Sequence, residues 1–503
     1  MIKAIRHTVR LVRIVSTLAR HDALFWIRDL PELPFAAWLT RRISRSNQPG
    51  RPGDRLVRAL EELGPTFVKL GQTLSTRSDV VGEEVAADLA KLQDRLPPFD
   101  GRTARETVEE QLDGPIDRYF REFDPEPVAA ASIAQVHFAV TRDGEDVAVK
   151  ILRPRIEQAF ERDLQLFHWL ASLLDRFVPP ARRLKPVAVV ETFAATVRLE
   201  MDLRMEASAA TELKENFAHE PLFFVPAVDW VRTSRRVLTL ERVRGIRIDD
   251  TAALDAAGHN RHALMTISAN AFFQQVFVDG MFHADMHPGN VFVREDGTLQ
   301  VIDFGIMGRL DRNTRDYLAD MLLAFIRRDY PMVADVHFRA GYVPAHQDRA
   351  AFAQAVRAIG EPIFEKPLHE ISFSRLLLQL FQVTERFEME TQPQLLLLQK
   401  TMLMAEGMGR RLDPSVNMWT LSRPLIEDWM AANRGPAARI ENGLDEIRAS
   451  IERVPRLLDG LEEATDRLSR ERLIRIEDKS IMGRLWPLWL LLAAIGWGAW
   501  LFQ

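Results

Sequence analysis

The sequence predicts an α+β protein of two lobes, with a helical N-terminal extension and a C-terminal transmembrane helix. Three observations carry this reading. Strand-like alternation over about residues 128–150 is set between long helical patterns. A second, shorter hairpin, Val291 to Val293 and Leu299 to Ile302, interrupts a later helical region. The run Leu485 to Phe502 holds no charge in 18 residues.

Taken in order, residues 1–54 form a basic segment and linker. Ile2, Ile5, Val9, Val12 and Leu18 recur at helical spacing among Lys3, Arg6, Arg10 and Arg13. Such a helix can lie on an anionic membrane or pack on the protein's own body. It lacks the apolar core and cleavage site of a secretory signal. Residues 40–54, rich in Arg, Ser, Pro and Gly, read as a linker. Residues 55–115 are helical, broken at Gly64-Pro65 and Pro97-Pro98. Residues 116–245 make the first lobe. Its hairpin runs Val136 to Val140, turns at Asp143-Gly144 and returns over Val147 to Ile151. A long helical region, Ile156 to about Phe217, and a short strand, Val237 to Leu240, complete it. Residues 246–436 make a helical second lobe. Its helix from about Thr251 to Asp279 has a turn at Gly258-His259-Asn260, and its turn at Asp296-Gly297 joins the second hairpin. Residues 437–484 form a charged helical arm. Residues 485–502 would span roughly 27 Å as a helix, close to a hydrocarbon core of about 30 Å. Trp486 and Trp489 stand at one end and Trp497 and Trp500 at the other, as interfacial belts do. Arg470, Arg472, Arg475, Lys479 and Arg484 precede the run, which predicts a single-pass anchor in the inner membrane with the bulk of the protein cytoplasmic.

Composition narrows the chemistry. The 503 residues carry 66 Lys+Arg and 71 Asp+Glu, a net charge of −5, which gives no overall footprint for nucleic acid. There are no cysteines, which excludes disulfides, thiolate zinc sites, iron–sulfur clusters and a cysteine nucleophile. The hydrophobic fraction of 47% is ample for a core.

The densest chemistry lies in His283-Ala284-Asp285-Met286-His287-Pro288-Gly289-Asn290 and Asp303-Phe304-Gly305. Two acids and an amide around a hairpin can hold a divalent cation through oxygen ligands. The alternative is a turn with buried capping Asx residues. The string resembles the protein-kinase catalytic loop H-R-D-x-x-x-x-N followed by D-F-G. Upstream, Val147-Ala148-Val149-Lys150 resembles the V-A-I-K strand. The run Ala129-Ala130-Ala131-Ser132-Ile133-Ala134-Gln135-Val136 stands where the kinase loop G-x-G-x-x-G-x-V would be, with alanine at all three glycine positions. Alanine resists both φ > 0 and close backbone approach to phosphate, so the nucleotide cradle must differ in shape. On these motifs the chain resembles the UbiB family of atypical kinases, bacterial relatives of the ADCK proteins, over about residues 55–412.

Two further strings match that family: Lys69-Leu70-Gly71-Gln72 fits its K-x-G-Q motif, and Glu200-Met201-Asp202 its E-x-D motif. The resemblance implies a kinase-like two-lobed fold in which these motifs meet and cover the site where a protein kinase binds peptide. Lys69, Gln72, Glu200 and Asp202 are then regulatory. It implies ATP or ADP with Mg²⁺ as ligands. Lys150 would neutralise phosphate charge and Glu206 would orient it. Asn290 and Asp303 would hold the metal, and Asp285 would orient or deprotonate an attacking hydroxyl or water. The alanine-rich loop, residues Ala129 to Val136, and the hinge residues Glu241 and Val243 would bind the nucleotide. His283 is read as structural, packing near Phe304.

Three departures separate the chain from ordinary protein kinases. Ala284 replaces the arginine of H-R-D. His287 stands where Ser/Thr kinases place a phosphate-contacting lysine. Only about ten residues separate Gly305 from the next helical pattern, near Thr314, and no A-P-E motif follows. These argue against protein phosphorylation. The resemblance implies a membrane-associated atypical kinase or ATPase that supports ubiquinone biosynthesis by acting on or presenting polyprenyl-phenol precursors. Membrane lipids and other ubiquinone-pathway proteins are the expected partners. Direct phosphorylation of a lipid or small molecule is the alternative. A quinone-ring hydroxylase and a pseudokinase scaffold are more remote. The hydroxylase lacks any G-x-G-x-x-G after a strand and any two-His-one-carboxylate pattern.

Overall fold

The computed structural model describes residues 2–25, 48–75, 81–89, 92, 97–177, 186–362, 379, 382–384, 386–389, 392–415 and 418–434. The helical extension comprises α1 (Ile2–Arg20), α2 (Pro52–Leu63), α3 (Pro65–Ser75), α4 (Glu83–Leu89) and α5 (Gly101–Gln111). The predicted break at Gly64-Pro65 is observed. Gly64 has φ 105°, a left-handed value that suits glycine, and Pro65 opens α3. Leu56, Leu60, Phe67 and Leu89 form the extension's own apolar cluster, which Leu166 joins from a later helix.

The short α6 (Ile116–Tyr119) leads into a five-stranded antiparallel sheet. Its members are β1 (Phe120–Phe123), β2 (Ala129–Ala130), β3 (Ala134–Thr141), β4 (Asp146–Leu152) and β6 (Val237–Glu241). The order is β1-β3-β4-β6, with β2 on β3. The predicted hairpin is present and longer than its apolar pattern, and Gly144 at φ 92° makes the turn. β1 was not anticipated. Its sequence, Phe-Arg-Glu-Phe, buries Phe120 alone to 2% exposure and shows too few alternations to register as a strand.

The helical region expected over 156–217 is observed, among the described residues, as α7 (Ile156–Phe177), α8 (Pro186–Glu200) and α9 (Leu203–Asn216). Asp202 ends the continuity. It adopts extended backbone and accepts a hydrogen bond from the Arg204 amide, which makes it the N-cap of α9. α1 reaches this region: the Arg10 guanidinium donates twice to the buried Asp163 carboxylate of α7, at 2.9 Å each. Ile14 and Ala19 are buried as well. Of the two readings offered for the basic N-terminal helix, packing on the protein's own body is therefore observed for its second half.

The second lobe follows with β5 (Phe223–Phe224), β7 (Ile246–Arg247), α10 (Thr251–Ala256), α11 (Arg261–Phe273), β8 (Met281–His283), β9 (Val291–Val293), β10 (Leu299–Val301) and β11 (Met307–Arg309). β5-β10-β9-β7 form one sheet, and β8 pairs with β11 in another. Helices α12 (Arg312–Ile326), α13 (Tyr330–Arg339), α14 (Arg349–Gly360), α15 (Pro393–Leu412) and α16 (Met418–Arg434) complete it. The β8–β11 ribbon was not anticipated, because three-residue strands are too short to display a period of two. Residues 437–484 and 485–502, the predicted arm and anchor, lie outside the described residues. Among the described residues no helix is long and apolar enough to cross a membrane.

A π-helical turn, Gln274–Asp279, joins α11 to β8. Burial raises the Asp279 carboxyl to about 6, against the opposing charge of Arg315. One carboxylate oxygen has no hydrogen-bond partner among the described residues. A raised folded-state value means the native state holds its proton more tightly than the unfolded chain does. That stability is fully present below about pH 4 and is lost as pH rises through 6. Asp279→Asn should therefore gain on the wild type by roughly 1 kcal/mol between pH 4.5 and 7.5, since solvent screens part of the effect at this incompletely buried carboxyl. Urea unfolding of both proteins at the two pH values measures this, and a constant difference would refute it.

Candidate active site

The site is assembled from four elements around Lys150, which half-buries its side chain on β4. Its register partner on β3 is Val136, the last residue of the alanine-rich run. The Lys150 ammonium lies 2.8 Å from Glu206 Oε1 and 3.0 Å from Asp303 Oδ1. Glu206 is in the first turn of α9, so the cap supplied by Asp202 fixes the helix that delivers it. Enclosure works against the Lys150 charge, but Asp303 and Glu206 outweigh it and hold the ammonium above its usual range. The Lys150 ammonium in turn holds the Asp303 carboxyl well below the usual carboxylate range. Burial pushes the Glu206 carboxyl up; Lys150 opposes this and the Asp303 charge adds to it. Two carboxylates thus share one cation, and Asp303 is the more strongly ionised.

Asp303 lies two residues past β10 with φ 64°. Aspartate tolerates this left-handed conformation better than most residues. The Ile302 amide donates to the Asn290 carbonyl at 3.0 Å, which fixes Asn290 beside the Asp303 backbone. The Asn290 side-chain amide nitrogen donates to the Asp285 carbonyl at 3.2 Å. Its amide oxygen is therefore the atom left to meet a cation. One carboxylate and one amide oxygen suit Mg²⁺, which takes few protein oxygens and completes its shell with water and phosphate.

His283 behaves as expected. It is 1% exposed, and its ring centroid lies 5.9 Å from that of Phe304. Nδ1 accepts from the Asp285 amide at 3.2 Å, so the proton sits on Nε2 and is donated to the Ile302 carbonyl at 3.2 Å. Burial lowers its basicity and keeps the ring neutral. Ala284 is fully buried, with its amide on the Ile306 carbonyl, so an arginine has no room there. His287 is exposed, and its Nδ1 accepts from the Gly289 amide as the cap of a short turn.

The alanine-rich run folds as a tight turn between β2 and β3, closed by the Ala131 amide on the Ala134 carbonyl at 2.8 Å. No residue in it takes positive φ, as its composition requires. Arg153 holds it from behind, donating to the Ala131 carbonyl at 3.0 and 2.8 Å and to the Pro97 carbonyl at 2.9 Å. Arg153 carries no motif, and sequence reasoning missed it. Within the run the residues divide. Ser132 is fully buried with a hydroxyl that has no partner among the described residues, so as the loop stands it is closed off from a ligand. Gln135 does not serve the nucleotide side: its side chain bonds the Phe99 backbone amide at 3.0 Å and His137 at 2.8 Å, on the face opposite to Val136 and Lys150. Ala129, Ala130 and Ile133 remain half-buried or exposed, whereas Ala134 is in the core.

At the predicted hinge, the Glu241 amide donates to the Ala227 carbonyl at 2.9 Å and is already committed. Val243 lies past the end of β6. The K-x-G-Q and E-x-D strings do meet: Lys69 of α3 lies 2.7 Å from Glu200 at the end of α8. The Lys69 charge also contributes to lowering Asp303. Asp202 faces Arg204 at 2.8 and 2.6 Å. A cavity of about 280 Å³ lined by Phe217, Leu222, Phe223, Ile267 and Gln274 contains none of these residues.

Residues 91–337 match the ABC1 atypical kinase-like domain, and residues 356–417 match the UbiB helical domain. A probable protein kinase UbiB from Azotobacter vinelandii is 42% identical, with 96% of each chain aligned. One from Marinobacter nauticus is 46% identical over 80% of this chain and 75% of its own. The chain belongs to the UbiB family. The kinase-like α+β fold is shared with a Mycobacterium tuberculosis protein solved as its complex with erythromycin, at TM-score 0.54 and 24% identity, covering 78% of this chain and 98% of that one. Membership makes this a kinase-like phosphotransferase or ATPase. It also locates a feature that the kinase motifs do not contain. Lys400, on α15 in the UbiB helical domain, lies 2.8 Å from Asp285 Oδ1. Sequence reasoning missed it, because a lysine in a helical run 115 residues from its partner gives no local signal.

Proposed function

We propose that this UbiB-family chain binds Mg-ATP and uses it at a membrane to support ubiquinone biosynthesis, acting on or presenting polyprenyl-phenol precursors rather than phosphorylating proteins. The observation that carries the nucleotide part is Lys150 held between Glu206 at 2.8 Å and Asp303 at 3.0 Å. A cation fixed in this way meets the phosphates with little reorganisation. Asn290 and Asp303 would hold Mg²⁺, which when bound neutralises charge on the phosphate oxygens. Asp285 has the position to take the proton of an attacking hydroxyl or water. The Lys69–Glu200 pair supports the exclusion of peptides, since it fastens the extension across the E-x-D segment beside the cleft. The anchor predicted over 485–502 and the basic residues before it support a place at the inner membrane.

The test is a chain truncated after Arg484. We expect lipid-stimulated ATP hydrolysis to be lost and an early polyprenyl-phenol to accumulate in cells. Unchanged hydrolysis and quinone levels would defeat the membrane part of the reading. The Asp285 position also favours a second reading, phosphoryl transfer to a lipid or small-molecule hydroxyl. Mass spectrometry of precursors from cells with the full-length chain separates the two, because only the second reading yields a phosphorylated species.

A further inference from the structure

The catalytic loop has no cation of its own where Ser/Thr kinases carry a phosphate-contacting lysine. His287 occupies that position, and its Nδ1 is engaged by the Gly289 amide. Lys150, assigned above to the nucleotide phosphates, belongs to β4 and not to this loop. Yet a cation does stand at the loop. Lys400 Nζ is 2.8 Å from Asp285 Oδ1, and both side chains are about one-third exposed, at 30% and 31%. The helix that carries it is a firm base: α15 packs against α11 and against β11, and its Met408 and Leu412 belong to the main core.

We propose that Lys400 is a catalytic residue: the UbiB helical domain supplies through it the cation that the catalytic loop lacks, for the γ-phosphate of bound ATP. The inference rests on the nucleotide reading of the site. An oxygen within hydrogen-bond reach of the Asp285 carboxylate, as an attacking group must be, lies within about 6 Å of Nζ. The flexible four-carbon stem of lysine covers that interval by rotation. In the step it serves, the oxygen of a hydroxyl or water bonds to the γ-phosphorus as the bond to the β-phosphate oxygen breaks. The proton of the attacking group passes to the Asp285 carboxylate, and the electron pair of the broken bond leaves with ADP. Lys400 takes no proton. Without nucleotide it rests on Asp285; with ATP bound it turns to the transferring group and leaves the carboxylate free to accept the proton.

The test compares the full-length wild type with Lys400→Met and Lys400→Arg. It follows steady-state ATP hydrolysis with Mg²⁺, ADP binding and thermal unfolding. Lys400→Met should lower kcat about 100-fold. ADP, which has no γ-phosphate, should bind with unchanged affinity, and the melting temperature should stay within about 3 °C. Lys400→Arg should recover at least about tenfold of the lost rate by keeping the charge. A Lys400→Met rate within twofold of wild type would reduce the contact to a surface brace and overturn the proposal. A faster rate would make it a clamp on the base and overturn it equally. If wild type neither binds nor hydrolyses Mg-nucleotide, the nucleotide reading itself fails. If wild type hydrolyses ATP and only Lys400→Met is without effect, this inference fails alone.

Discussion

Replacing Asp303 by Asn is expected to lower magnesium-dependent ATP hydrolysis by about a thousand-fold while leaving the folded state intact. Asparagine keeps the size of the side chain and accepts the left-handed backbone at φ 64°. Lys150 keeps its contact with Glu206, so the ion pair across the cleft survives. What is lost is the charge of the more strongly ionised carboxylate. If a metal ion contributes about 4 kcal/mol of charge stabilisation, and each decade of rate is worth about 1.36 kcal/mol, the loss is about three decades. Phosphate release by the purified full-length chain measures it, with thermal unfolding as the control. Hydrolysis within tenfold of wild type would mean that Asp303 holds no metal in the reaction.

Phe282→Ala is expected to cost about 4 kcal/mol of stability. Phe282 is fully buried at the centre of β8, and its register partner on β11 is Gly308. Its ring lies over Gly308, where any side chain would collide with it. Truncation leaves a cavity between two strands that neither backbone can close, since each also anchors a string of the candidate site. β8 runs into Asp285, and β11 follows Asp303-Phe304-Gly305. Urea unfolding should show the loss together with reduced hydrolysis. A cost under 1 kcal/mol would show that the ribbon repacks freely.

The two variants also mark what could be read in advance. That Asp303, Asn290, Lys150 and Glu206 lie together was legible because they stand in strings of fixed residue type and spacing. The two hairpins were legible through their alternation and their Asp-Gly turns. β8, β11 and β1 were not, since three or four residues give periodicity nothing to act on. Gln135 was misassigned because a motif names a run of residues, whereas a strand turns alternate members to opposite faces. Arg153 and Lys400 were invisible for another reason: each acts through a contact made by folding alone, on residues far from it in sequence.

The short stretch from Glu200 to Glu206 also joins three parts of the molecule. Glu200 grips Lys69 of the extension, Met201 is pinned in the core at 4% exposure, and Asp202 caps the helix that carries Glu206 to Lys150. Seven residues thus tie the extension and the Lys150 site to one buried point. If nucleotide at Lys150 alters the strength of the Lys69–Glu200 pair, thermodynamic linkage requires that loosening this pair change nucleotide affinity by the same factor.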